Sequence, residues 1–292
     1  MSDYIGRFAP SPTGPLHFGS LVAAVASYCD AKSAQGKWLV RIEDLDKPRE
    51  VKGAAQDILN TLVAFGFSWD SDIIYQSQQT RHYAQALTQL TQNNLIYPCT
   101  CSRKEIADSS TLQGIEGVIY RGTCLHHPIK ANTRLAWRIK TNDFIGEFKD
   151  AIYGAIKQQL ASEIGDFVLK RADDIFAYQL AVVVDDAMQG VNHIVRGADL
   201  LMSTPRQIYL QHVLELPSIQ YAHIPVVKNA QGEKLSKQTL APAIQGQQAS
   251  QLLIEALSFL QQSPPTSLYR ATQAEIWEWA IAHWQIQHLI SN

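Results

Sequence analysis

Pro10, Pro12, Pro15, Gly14 and Gly19 crowd one short stretch near the start of the chain, between an extended apolar run at residues 4–8 and small apolar residues at 21–31. A stretch so rich in fixed φ angles and missing donors accommodates a stiff turn and little else, and Gly14 opens backbone angles closed to other residues. The pattern predicts strand, turn and helix in succession. Such a junction makes an anion site, because unpaired N–H groups and the positive end of the helix both face the turn. Gly19 lets a flat ligand approach the first helical turn, and His17 at its mouth can donate to a phosphate oxygen.

Far downstream, Asn229-Ala-Gln-Gly232 leads into Glu233-Lys-Leu-Ser-Lys-Gln238, two lysines bracketing a serine after an apolar run read as a strand at 224–227. Lysine is a mobile point charge suited to phosphate. Between these stretches the patterning is that of an α/β protein. Residues 38–42 read as a buried strand running into Glu43-Asp-Leu-Asp46, where open α/β sheets bind ligands. Asp44 and Asp46 serve equally well as helix caps. Residues 52–65 and 81–93 carry apolar side chains at helical spacing. Residues 134–139 and 146–159 read as short strands, 180–184 as the start of a buried parallel-type element, 193–199 as a strand and 204–216 as a helix. Beyond Pro242 the chain is Gln- and Ala-rich and helical, with tryptophans that pack on the body. Cys29, among small apolar residues, belongs to the core.

Residues 98–165 differ in character. Cys99, Cys101 and Cys124 converge within a loop-rich insertion and predict a zinc knuckle; by spacing, His126 or His127 is the fourth ligand. Four such ligands leave no open position, so the zinc is structural. The net charge of −2 supplies no global basic signal, so contacts with nucleic acid must come from local patches. No apolar run reaches the length of a membrane span and no signal peptide precedes Tyr4, which predicts a cytoplasmic protein.

His17-Phe-Gly-Ser20 and Lys234-Leu-Ser-Lys-Gln238 together resemble the HIGH and KMSKS signatures of class I aminoacyl-tRNA synthetases. Arg7-Phe-Ala-Pro-Ser-Pro-Thr-Gly, Arg41-Ile-Glu-Asp-Leu-Asp and Gly190-Val-Asn-His-Ile-Val-Arg-Gly-Ala-Asp199 are similar to the glutamyl branch. That resemblance implies a Rossmann-type doubly wound parallel sheet over residues 1–240, split by the zinc-binding insertion at 98–165 and followed by a short helical part at 241–292. It implies ATP, with Mg²⁺, held by Pro10, His17, Gly19, Ser20, Lys234, Ser236 and Lys237, with His17 and Lys237 catalytic. It implies glutamate held by Arg7, Ala9, Ser11, Glu43, Tyr178 and Arg196; guanidinium suits a carboxylate and Glu43 an ammonium.

The chain departs from ordinary glutamyl-tRNA synthetases in two ways. Ser20 replaces the last histidine of HIGH, and only residues 239–292 follow the lysine loop, too few for a large anticodon-binding part. This design resembles the glutamyl-queuosine tRNA(Asp) synthetases, described as attaching glutamate to the cyclopentenediol of queuosine in the tRNA(Asp) anticodon. The resemblance makes Tyr120 the fourth ligand of one structural zinc per chain, and implies a monomer acting on queuosine-containing tRNA(Asp). The competing readings are a truncated enzyme charging tRNA(Glu) at its 3′ end, an enzyme passing glutamate to another acceptor, and a non-catalytic RNA-binding paralogue.

Overall fold

The computed structural model describes residues 3–109, 113–114, 117–120, 122–127, 129–229, 232–235 and 242–290. Its first half is a βαβ unit: β1 (Ile5–Phe8), α1 (Phe18–Ser33) and β2 (Lys37–Ile42), then α2 (Ala54–Ala64), β3 (Ile74–Tyr75) and α3 (Thr80–Gln92). β1 and β3 both pair parallel with β2. The loop after β2 clamps the proline turn: Glu43 N–H donates to Pro10 O at 3.0 Å and Val51 N–H to Pro12 O at 2.9 Å.

The insertion opens with β4 (Ile96–Cys99) and α4 (Arg103–Ser109), continues through β5 (Gln113–Gly114), β6 (Gly117–Val118), α5 (Thr123–His126) and β7 (Ala136–Ile139), and ends in the hairpin of β8 (Ile145–Asp150) and β9 (Gly154–Gln159). α6 (Leu160–Glu163) and β10 (Phe167–Lys170) return the chain; β10, β7 and β4 form an antiparallel sheet. The second half follows as α7 (Tyr178–Met188), β11 (His193–Gly197), α8 (Thr204–Val213) and β12 (Gln220–Ile224), with β11 and β12 parallel. β11 lies beside β1, and Asn192 N–H donates to Ile5 O at 3.0 Å. The two strand groups thus meet edge to edge at β1 and β11, where strand order reverses and open sheets bind ligands.

α9 (Ala249–Phe259) and α10 (Gln273–His283) follow, and a 3-10 turn at Ile286–Leu289 ends the described chain. Both helices pack on α1, and one core joins Val22, Ala24 and Val25 to Leu253, Ile254, Leu257, Ile276 and Trp277. The small side chains of α1 follow from this position, wedged between the sheet and two helices, where larger ones would overpack. Trp277 packs edge-on against Tyr28 and Phe67, with both centroid distances 4.8 Å, and its Nε1 donates to Phe65 O, so it is structural as read. Cys29 is fully buried, also as read.

Two element assignments are corrected. Residues 180–184 lie within helix α7, not in a strand-like element; every residue from Leu180 to Asp186 is buried because α7 packs against β10 and other helices. Short apolar runs read alike whether they form a buried strand or a buried helix. The strand before the lysine loop is β12, which ends at Ile224 rather than running over 224–227. Pro225 has no N–H for the ladder and ends it. Among the described residues, no helix is long and apolar enough to cross a membrane.

Candidate active site

At the seam between β1 and β11 lies a cavity of about 350 Å³ lined by Arg7, Ala9, Ser11, Glu43, Tyr178 and Arg196, together with Phe8, Ala23, Val195, Gly197 and Leu200. All six residues expected around glutamate are therefore brought together. They come from the ends of β1 and β11, the loop after β2 and the first turn of α7. Beneath the floor, Arg7 Nε contacts Asp186 Oδ1 at 3.2 Å, Arg41 Nη1 contacts the same oxygen at 2.7 Å, and Arg41 Nη2 reaches Glu43 Oε1 at 3.3 Å. Burial acts to raise Asp186, but the guanidiniums of Arg41 and Arg7 outweigh it and hold the carboxyl below its usual range. For Glu43 the balance is opposite: burial wins over Arg41 and Arg7, and its carboxyl is raised. Arg196 is buried too; its Nε donates to His223 Nε2 at 3.0 Å and its Nη2 to Thr204 and Gln207 at 2.8 Å each, while Nη1 has no partner among the described residues. A buried guanidinium with an unpaired N–H₂ on a cavity wall is a carboxylate receptor in chemical terms.

A second cavity of about 200 Å³ adjoins the first, sharing Ala23 and Gly197 with it, and is lined by His17, Gly19, Ser20, Asp199, Pro225, Val227, Lys234 and Leu235. The N-terminal turn and the lysine loop meet here. His17 caps α1: its Nδ1 accepts from Ser20 N–H at 3.2 Å, which leaves the proton of a neutral imidazole on Nε2, 3.2 Å from Ser20 Oγ. The serine that replaces the last histidine of the motif thus steadies the first. A Cβ on Gly19 would sit 3.2 Å from that ring and 3.6 Å from Leu235 O, so the glycine admits the loop. A Cβ on Gly197 would come within 2.4 Å of Asp199 Oδ1, and Asp199 pairs with Lys234 Nζ. Pro10 lines neither cavity; its carbonyl holds Glu43. Ser236 and Lys237 lie outside the described residues.

In the insertion, the sulfurs of Cys99, Cys101 and Cys124 all lie within 4.8 Å of one another. Cys101 Sγ and Cys124 Sγ are 3.5 Å apart, near the ~3.8 Å that tetrahedral zinc–sulfur bonds of ~2.3 Å impose. Tyr120 Oη stands among them, 3.3 Å from Cys99 Sγ and 3.5 Å from Cys101 Sγ, and accepts from Cys124 N–H at 3.0 Å. His126 and His127 are exposed. Arg138 Nε approaches Cys99 Sγ at 3.3 Å and its guanidinium covers the Tyr120 ring at 4.1 Å, a cation that suits thiolates and a phenolate. Burial would raise Cys124, but hydrogen bonds from Thr100, Tyr120 and its fellow thiols bring it down to about 6. This donor set fits zinc.

Sequence reasoning missed Arg41, Asp186, Asp199, Asp150 and His223. The signal for two of them was present: Arg41 is a lone charge between Val40 and Ile42 in a buried strand, and Asp185-Asp186 closes an unbroken apolar run. Buried charges are tolerated only when paired.

The parallel sheet split by an insertion, with His17, Gly19 and Ser20 meeting Lys234 and Leu235 at its switch point, defines the class I synthetase catalytic fold. A solved glutamate tRNA ligase from Elizabethkingia meningosepticum superposes with a TM-score of 0.78 at 21% identity, covering 99% of this chain and 66% of that one. A Mycobacterium tuberculosis methionyl-tRNA synthetase with methionyl-adenylate superposes with a TM-score of 0.59 at 11% identity, covering 87% and 64%. The family of class I tRNA synthetases (E and Q), catalytic domain, matches residues 5–257. A glutamyl-Q tRNA(Asp) synthetase of Dechloromonas aromatica is 56% identical over 284 residues, 97% of this chain and 94% of its own. Those of Neisseria meningitidis serogroup B and Thiobacillus denitrificans are 53% and 50% identical, covering 97% and 98% of this chain and 96% and 94% of their own. The chain belongs to the class I tRNA synthetases of the glutamate and glutamine type, and within them to the family of glutamyl-Q tRNA(Asp) synthetases.

Proposed function

We propose that this protein activates glutamate with ATP and transfers it to the queuosine base in the anticodon of tRNA(Asp). One observation carries the activation half: Arg196 Nη1, without a partner among the described residues, in a cavity also lined by Arg7 and Glu43 and adjoining the cavity of His17 and Lys234. The acceptor is supported by relatives at 50% identity and above that align over nearly their whole length.

Arg196 and Arg7 take a carboxylate and Glu43 the ammonium, with Ala9, Ser11 and Tyr178 shaping the wall. The glutamate α-carboxylate attacks the α-phosphorus of ATP; the new P–O bond forms as pyrophosphate leaves. Such a displacement needs placement and neutralisation of developing charge more than covalent chemistry. His17, the N-terminus of α1, Lys234 and Lys237 supply that charge, with Pro10, Gly19, Ser20 and Ser236 shaping the nucleotide site and Mg²⁺ accompanying the nucleotide. A hydroxyl of the queuosine cyclopentenediol then attacks the activated carbonyl, forming an ester and releasing AMP. The zinc set of Cys99, Cys101, Tyr120 and Cys124 is structural and closed; one zinc per chain by elemental analysis is expected, and a metal-free native protein contradicts it. Digesting the tRNA product to nucleosides tests the whole proposal by mass spectrometry. Glutamate on the queuosine nucleoside is expected; glutamate on the terminal adenosine overturns it.

A further inference from the structure

Behind Arg196 runs a chain of buried groups that the proposed glutamate site does not itself use. Asp150, the last residue of β8, has Oδ1 occupied by the backbone N–H groups of Ile152 at 3.0 Å and Tyr153 at 2.9 Å. Its Oδ2 lies 2.6 Å from His223 Nδ1, and both side chains are fully buried. A carboxylate only accepts, so Nδ1 must carry the proton. The neutral ring then presents a lone pair at Nε2, and Arg196 Nε donates to it at 3.0 Å. With Nη2 shared between Thr204 and Gln207, three of the five guanidinium N–H bonds are fixed from behind and Nη1 is left without a partner among the described residues.

We infer that Asp150 and His223 are positioning residues for glutamate: they lock the tautomer and the guanidinium plane so that Arg196 Nη1 meets a ligand carboxylate. The inference rests on the glutamate reading above. It assigns a role in substrate binding to the β8–β9 hairpin, remote in sequence from every signature. It also makes the grip sensitive to acid. Protonation would turn Nε2 into a donor facing the Arg196 Nε donor. The ring is faced by Asp150 from β8, Arg196 from β11, Tyr221 from its own strand at 6.1 Å, the Thr204 hydroxyl from α8 at 3.1 Å and, farther off, Arg7. Burial sets His223 below the ordinary imidazole range, opposed by Asp150 and reinforced by Arg196. Asp150 stays ionised through that range, since the His223 and backbone hydrogen bonds outweigh its burial, and Tyr221 is pushed up to about 12 by burial.

The test is glutamate-dependent ATP–pyrophosphate exchange, run with and without tRNA(Asp). Asp150→Asn keeps the shape but puts an amide donor opposite Nδ1, favouring the wrong tautomer. It should raise the KM for glutamate at least ~10-fold, as expected for a misaligned charge-assisted contact, with the KM for ATP within ~2-fold. His223→Leu should do the same. His223→Gln, whose amide can donate to Asp150 and accept from Arg196, should recover most of the affinity and diminish the acid-side rise in glutamate KM expected of the wild type. Glu43 titrates in the same cavity, so the comparison is between wild type and variant. A wild-type glutamate KM in Asp150→Asn, or equal rises for glutamate and ATP, overturns the inference. Should Asp150→Asn not fold, an undiminished acid-side rise in His223→Gln overturns it instead. Wild-type exchange that ignores glutamate overturns the glutamate reading, and this inference with it.

Discussion

The two cavities at the switch point share Ala23 and Gly197 but are built on opposite principles. In the larger, the charged groups are buried and cross-braced: Arg7, Arg41, Asp186 and Glu43 form one connected network and Arg196 is held from behind. In the smaller, the described cation on the lysine loop, Lys234, is half-exposed and pairs with the partly exposed Asp199. The first arrangement suits recognition of a small, doubly charged amino acid, because donors fixed in advance cost little to reorganise on binding. The second suits a polyphosphate, which a mobile point charge can follow as its geometry changes.

Breaking the buried network should have the largest effect. Asp186→Asn leaves Arg7 without its carboxylate and Arg41 without its closest one, and should cost about 3 kcal/mol or more in urea denaturation. Because Asp186 is held below its usual range by Arg41 and Arg7 against burial, its stabilisation is full above the unfolded carboxyl pKa and is lost as pH falls through the folded one. The variant should lack that acid-side loss; a change under about 1 kcal/mol at neutral pH would show that the network is not cross-braced.

His17→Ala should lower ATP–pyrophosphate exchange ~100-fold or more, at a stability cost limited to the lost cap of α1, about 1 kcal/mol. Wild-type exchange would remove His17 from the chemistry. Lys237→Ala is expected to behave alike.

Glu43→Gln sharpens the contrast because stability and binding should move apart. The raised Glu43 carboxyl makes its charged form a burden that is absent below the unfolded pKa and appears as pH rises through the folded one. At neutral pH the variant should melt slightly higher than wild type and bind glutamate ~10-fold less well. Lower stability with unchanged KM would contradict both halves.

The smallest effect belongs to Lys234→Ala. Its ion pair with Asp199 is exposed enough that stability should change by less than about 1 kcal/mol. The KM for ATP should rise a few-fold with that for glutamate unchanged.

The same contrast explains what was legible in the sequence. Residues of the candidate site sit in or next to turns, where proline, glycine and charge punctuate the pattern, so His17, Glu43 and Lys234 stood out, while Arg7, Ser11 and Arg196 were named by the resemblance to the glutamyl branch. The residues that hold them do not stand out. His223 looks like any polar residue in a strand, and Asp150 is one acid in a hairpin; only tertiary packing brings them within 2.6 Å. The helix α7 was hidden for a related reason: a segment buried all round loses the periodicity that separates helix from strand. For the zinc set, spacing pointed to a histidine, whereas the phenol that stands among the sulfurs lies beyond α4, β5 and β6 from the first cysteine pair.

The most direct measurement is transfer of radiolabelled glutamate, with ATP, to three RNAs: queuosine-containing tRNA(Asp), the same tRNA lacking queuosine, and tRNA(Glu). Label on the first alone, persisting when its 3′ end is trimmed, is the predicted result. Label on tRNA(Glu), or equally on both forms of tRNA(Asp), would contradict the account.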